Sequence, residues 1–297
     1  METNLLYIFI NREICSSLYR GNKTTGSTYD ELPDYYNITY NHNKEKFTNS
    51  VFIKDKNAIK DLIEDSDFKY VNNIINTKWL HLKEMMFWYI TVIRVVLLCI
   101  YIKKYNLKNV LHVEADSLIF ANNFESLVNN FNNGEFGYPN EGRFKAAPAI
   151  MFFKDSTSAD NLLKLYIKLL EKGERALQPY TGHMASCISD MALLSLISRG
   201  EISTYKLLPC LPYGEQSVNF NKFQYIFDPI SYGQFLGGTN GGASIGYKDD
   251  YHYVGQEIIK KKISVVFNKS PFVIYNDINI PIFNLHIHNK EAILKFI

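Results

Sequence analysis

The sequence has no excess charge of either sign. Its 297 residues carry 32 Lys and Arg against 30 Asp and Glu, a formal net charge of +2, so the basic face that nucleic acid demands is not expected. The one dense basic run, Lys260-Lys261-Lys262, reads as a solvated helix end or turn. Cysteine is scarce as well. Cys15, Cys99, Cys187 and Cys210 form no C-x-x-C pair and no dense framework, which predicts reduced thiols in an intracellular compartment. Neither a Gly-x-Gly-x-x-Gly fingerprint nor a Gly-Lys-Ser/Thr loop is present, which removes the dinucleotide motif and the P-loop. The N-terminus places Glu2 where a signal peptide needs positive charge. The apolar run 85–102 carries Arg94 near its centre, where a charge costs a few kcal/mol in a bilayer. It is expected to be a buried core helix of a soluble, cytoplasmic protein with no transmembrane segment.

What is present points to one large α/β domain. The apolar share of 46% and aromatic share of 14% suffice for a substantial core. Residues 5–10, 50–54 and 111–114 read as buried strands, separated by helices that begin near Asn57 and in the run 85–102. Such βαβ units predict a doubly wound, mainly parallel sheet with helices on both faces. Leu32-Pro33 is expected to open a short helix, after a turn-rich loop at 20–30. The second half is more irregular. It holds a strand at 149–153, helices at 159–172 and 189–198, a Gly/Tyr-rich stretch at 228–253, short strands at 263–267 and 272–275, and a terminal strand at 282–290. No internal repeat and no long linker divide the chain.

Five groups of residues are candidates for chemistry. Glu114-Ala115-Asp116 closes the 111–114 strand, and alternation puts both carboxylates on one face. Such a pair can seat a divalent cation carrying a diphosphate, or simply form a polar strand exit. Arg94 is buried and therefore needs a partner, which could be a donor phosphate or sugar, or Glu114, Asp116 or another internal carboxylate. His286-Ile287-His288 is a candidate imidazole pair for Mn²⁺ or Zn²⁺, with Lys290 close behind. Asp190 begins a helix, where an acid is favourable in any case. Finally, Asp228 opens an aromatic, Gly-rich stretch with Gln234, a composition suited to sugar hydroxyls and pyranose faces or to an ordinary surface loop. Arg143 and Lys145 are weaker candidates for a phosphate contact.

The Arg94 helix followed by Asn109-Val-Leu-His-Val-Glu-Ala-Asp-Ser-Leu-Ile119 resembles the region around the DxD motif of GT-A glycosyltransferases, especially the glycogenin and galactosyltransferase-like group. Glu114 stands where the first Asp of that pair is usual. The resemblance implies a GT-A-like catalytic domain over 1–297, with a nucleotide-sugar half at 1–125 and an acceptor-side half at 126–297 that returns a metal-ligand strand. It implies Mn²⁺ or Mg²⁺ on Asp116 first, then Glu114 and a C-terminal histidine, His286 ahead of His288. Arg94 and Lys290 become donor contacts, and Asp190 and Asp228 the catalytic candidates. The activity implied is transfer of a sugar from a nucleotide-diphosphate sugar to a hydroxyl of a glycan, protein or small molecule, with a lean towards retention. Two alternatives stay open. One is a sugar-1-phosphate nucleotidyltransferase, although Asn11-Arg-Glu-Ile-Cys15 is not that class's Gly-rich loop. The other is a non-catalytic sugar-binding protein on the same scaffold, suggested by Glu114. The resemblance also carries a geometric requirement: the last strand must fold back beside Asp116.

Overall fold

Leu5, Leu6, Tyr7 and Ile8 are apolar without alternation, and such a strand is stable only with both faces covered. They lie in β1 (Asn4–Ile8), near the centre of the sheet. The computed structural model describes residues 2–18, 31–79, 81–82, 86–181, 188–200, 202–239, 245–247 and 250–297, apart from the side chains of Cys15 and Ser17. The remaining strands are β2 (Asn49–Ile53), β3 (Val110–Val113), β4 (Ser117–Ile119), β5 (Phe136–Tyr138), β6 (Asn140–Gly142), β7 (Lys145–Ala146), β8 (Ile150–Phe153), β9 (Tyr205–Leu207), β10 (Ser264–Asn268), β11 (Ser270–Tyr275), β12 (Ile278–Pro281) and β13 (Asn284–His286). The expected loop at 20–30, Cys187 and the Gly-rich residues 240–242 lie outside the described residues.

The central sheet runs β2-β1-β3-β8-β5-β9. β1 pairs in parallel with β2 and β3, and β5 with β9, while β8 runs against both β3 and β5. The fold is therefore mixed α/β with a mainly parallel sheet. The reversal of β8 has a local cause. Between β5 and β8 the chain makes only the β6–β7 hairpin, and a parallel return would need a crossover of a dozen or so residues, usually a helix.

Helices cover both faces. Leu6 and Ile8 point into a cluster shared with the helices Lys56–Ile63, Ser66–Lys78, Met86–Lys104, Ser156–Lys172 and Asp190–Ser198. Leu5 and Tyr7 point the other way, towards Tyr40 of the Asp34–Lys44 helix and Leu127 and Val128 of the Glu125–Asn129 helix. A third cluster joins the β10-β11-β12 sheet to β4 and β13 through Val273, Ile280, Leu118 and Leu285.

Among the described residues, Met86–Lys104 is the one helix long and apolar enough to cross a membrane. Twelve of its 19 residues are buried in the protein itself. It packs on the Ser66–Lys78 and Ser156–Lys172 helices, and burial on nearly all sides accounts for its apolar composition. Of the four cysteines, Cys99 and Cys210 are free and buried.

Candidate active site at the end of β3

β3 ends at Val113, and Glu114, Ala115 and Asp116 form the turn that leads into β4. Three bonds fix this turn to its surroundings. The Glu114 N–H donates to Ala149 O at 3.0 Å, the Ser117 N–H to Glu114 O at 3.0 Å, and the Ile287 N–H to Asp116 O at 2.7 Å. The last of these comes from the far end of the chain. β13 lies antiparallel to β4, with His286 opposite Ser117. The terminal strand thus folds back beside Asp116, as the geometric requirement stated.

A second clamp comes from the Asp34–Lys44 helix. Thr39 and Asn43 share its buried stripe one turn apart. The Thr39 hydroxyl donates to Ala115 O at 2.5 Å, and Asn43 bridges Ser117 O and the Ile119 N–H at 2.7 Å each. Sequence reasoning missed both residues. The available signal was a pair of polar side chains on the inward stripe of an amphipathic helix.

Glu114, Asp116 and His286 each present a ligand atom within 4.8 Å of the others. His286 Nε2 lies 3.2 Å from Asp116 Oδ1 and 3.4 Å from Glu114 Oε2. Its Nδ1 sits 3.2 Å from Pro229 O, so that nitrogen donates to the carbonyl and Nε2 is aimed at the carboxylates. Burial acts to lower the His286 pKa, but the charge and hydrogen bond of Asp116, with Glu114 behind, outweigh it and hold it up to about 9. Burial acts to raise the Asp116 pKa, and His286 and Lys290 together keep it well below the usual carboxylate range.

Two cations brace the acids. Lys290 Nζ pairs with Asp116 Oδ2 and lies 5.5 Å from the Tyr35 ring centroid. Arg94 pairs through Nη2 with Glu114 Oε1 and reaches Asp190 Oδ2 at 3.3 Å. Its partners are thus two internal carboxylates, one from the β3 turn and one from the first turn of the Asp190–Ser198 helix. Asp190 is 2% exposed. Burial raises its pKa, Arg94 opposes that, and Glu114 adds to it.

All these groups line one cavity of about 370 Å³, beyond the carboxyl ends of β1 and β3. Ile8, Phe9, Tyr36, Trp88, Pro148 and Met191 supply much of its apolar wall. A pocket of this size, mostly apolar with a few convergent charges, suits a small-molecule ligand.

Two of the candidates occupy other positions. His288 lines the cavity but stands outside the three-ligand group, because β13 ends at His286 and the chain turns before His288. The shared strand face expected for the two imidazoles therefore does not form. Asp228 is 0% exposed and does not line the cavity. Its Oδ1 accepts from the Tyr232 N–H at 3.0 Å, and its Oδ2 from the Gly233 and His286 N–H groups at 2.8 Å each. The carboxylate expected to take sugar hydroxyls instead ties the Ser231–Gly237 helix to β13 and so positions His286. Three backbone amides satisfy this buried carboxylate, with the His286 ring acting on it as well. Arg143 and Lys145 also lie outside the cavity wall.

No family model matches the sequence, and no curated protein matches it. Among solved structures, the chain is similar to mouse xyloside xylosyltransferase 1 in its apo form. The two share 13% identity over 75% of this chain and 93% of that one, with a TM-score of 0.38. At that identity and superposition, the likeness bears on neither activity nor substrate.

Proposed function

We propose that the protein is a glycosyltransferase that uses a nucleotide-diphosphate sugar and a divalent cation. The observation that carries this reading is the convergence of Glu114, Asp116 and His286 within 4.8 Å at a strand end, in a cavity where α/β sheets place their ligands. Two carboxylates and one imidazole, held by a protonated Nδ1 on a backbone carbonyl, form a donor set suited to Mn²⁺, and to Mg²⁺ when water completes the shell. When bound there, such an ion supplies positive charge against the charge that develops on a leaving diphosphate.

The chain's own residues do the rest. Lys290 offers an ammonium beside Asp116, on the side where the diphosphate would lie. Arg94 fixes the rotamers of Glu114 and Asp190 together, so donor-side and acceptor-side carboxylates keep a constant separation. Asp190 is the acid that faces the cavity without belonging to the cation group. Its raised pKa suits an acceptor-orienting or proton-accepting role. Tyr36 and Trp88 give flat apolar surfaces for a base or a pyranose ring. On this reading residues 1–125 bind the donor and 126–297 build the acceptor side and return His286. The nucleotidyltransferase alternative is disfavoured by the segment after β1, where the chain enters the Arg12–Leu18 helix with no Gly-rich loop.

The test is donor hydrolysis across UDP-, GDP- and CMP-sugars with and without Mn²⁺, alongside calorimetric Mn²⁺ binding. Mn²⁺-dependent turnover of one donor class is expected, with loss of both turnover and Mn²⁺ binding in Asp116→Ala. If no nucleotide sugar binds and Asp116→Ala changes nothing, the reading fails. Donor binding without hydrolysis or transfer would instead indicate a sugar-binding protein.

A further inference from the structure

Outside the cavity, one ring carries two like charges. The Arg143 guanidinium lies 5.3 Å from the Phe144 ring centroid and that of Arg199 lies 5.5 Å from it. Both arginines are exposed, and neither forms an ion pair with a carboxylate among the described residues. Arg199 is nevertheless held in place. Its Nη2 donates to Tyr180 O at 2.7 Å and its Nε to Ser195 O at 3.3 Å. The Ser195 hydroxyl donates to Arg143 O at 3.2 Å, which fastens the turn after β6 to the Asp190–Ser198 helix. The helix dipole explains a cation at Arg199, the C-cap. The Phe144 ring face attracts each guanidinium, but two like charges on one ring also repel, and an anion between them would relieve that repulsion. Burial and then the charge of Arg143 lower the Arg199 pKa, and both guanidiniums act on the Tyr253 hydroxyl.

We propose that Arg143 and Arg199 form an anion clamp for a phosphate or carboxylate carried by the acceptor saccharide. This rests on the glycosyltransferase reading, and it adds the chemical class of the acceptor. Guanidiniums donate to such oxyanions through paired, charge-assisted hydrogen bonds, and that of Arg199 is already held in place. Placement supports an acceptor role, because both arms of the clamp are continuous with cavity-lining residues. β7 runs directly into Ala147, Pro148 and Ala149, and the helix that Arg199 ends begins with Asp190 and Met191. Nine residues of helix separate Asp190 from Arg199, about 13 Å at 1.5 Å per residue. That is within reach of a short oligosaccharide with its hydroxyl at Asp190 and its anion at the clamp.

The test is calorimetric titration with glucose 6-phosphate, glucuronate, glucose and inorganic phosphate. It uses the wild type, Arg143→Gln, Arg143→Gln/Arg199→Gln and Asp116→Asn. One or both charged sugars should bind the wild type at least about tenfold more tightly than glucose, the scale of a charge-assisted pair. Which of them does so separates a phosphate from a carboxylate acceptor. The preference should shrink in Arg143→Gln, whose side chain is exposed, and vanish in the double variant. Asp116→Asn should keep it, so a failed cation site and a failed clamp give different results. Equal binding of charged and neutral sugars, or an unchanged preference in the double variant, overturns the proposal. So does binding of inorganic phosphate with neither charged sugar bound.

Discussion

Arg94 shows how one residue can stabilise a site and shape it at once. It stands between Glu114 and Asp190, two carboxylates that would otherwise face each other in a poorly hydrated cavity. Removing one partner of a buried ion pair leaves the other charge uncompensated and costs about 3–5 kcal/mol. Arg94→Met should therefore lower unfolding stability by an amount of that order, read from urea titration. Arg94→Lys should recover part of the stability, because an ammonium cannot span both acids in a fixed fork. His112 gives the pH dependence. Its Nδ1 lies 2.9 Å from Leu6 O, and burial, followed by the charge of Arg94, lowers its pKa from 6.5 to about 4. Between those values the unfolded chain binds a proton that the folded chain refuses. The His112 contribution to stability therefore falls as pH drops through the window, by roughly 3 kcal/mol over its full width, while Asp228, raised to about 6 by burial, acts in the opposite sense. Urea midpoints at pH 7 and pH 4.5 should show a larger loss for the wild type than for His112→Asn, and equal losses would contradict this account. At this scale the sequence was readable where chemistry is intrinsic to a residue type. A buried Arg must find an acid, and Asp116 with a distant His is a cation pattern. Asp228 was misread because a carboxylate's composition does not say whether its partners are hydroxyls or amides. That depends on a strand 58 residues away.

At the level of elements, the site depends on contacts between backbones. Gly233 sits in the first turn of the Ser231–Gly237 helix, where a Cβ would collide with the carbonyl of His286 and crowd Asp228 Oδ2 at 3.1 Å. Gly233→Ala should push the helix away from β13, costing about 1–3 kcal/mol as overpacking does. It should also weaken Mn²⁺ binding, although residue 233 is no ligand. A melting curve and a Mn²⁺ titration on the same sample check both, and a loss of stability without a loss of affinity would sever the helix from the site. The buried strands β1, β3 and β8 and the helix around Arg94 were legible because their apolar runs are unmixed, and β2, a half-exposed edge strand, from the short run Val51-Phe52-Ile53. β4, three residues long, was not, because a strand this short has no period to read. Nor was the direction of β8, which is set by the missing crossover helix rather than by its own residues.

For the whole molecule, the cation group joins two parts of the chain that are far apart in sequence. Asp116 and Lys290 are 174 residues apart, and a ligand that binds only the assembled group stabilises the entire fold by mass action. At Mn²⁺ concentrations 100 times the dissociation constant, the gain is about 2.7 kcal/mol. Differential scanning fluorimetry should show a concentration-dependent rise in Tm, reversed by EDTA and absent in Asp116→Asn. A rise that persists in the variant would place the ion elsewhere. The pairing of β13 with β4 has a further meaning for synthesis in the cell. A ribosome delivers Glu114 and Asp116 long before His286, so the nascent chain can build the central sheet while the cation group is still missing its imidazole. Termination after β9 and before residue 284 should yield a fragment that retains all six strands of the central sheet but lacks His286, and so should not bind Mn²⁺. The proposed cation group is thereby complete only after β13 has been made.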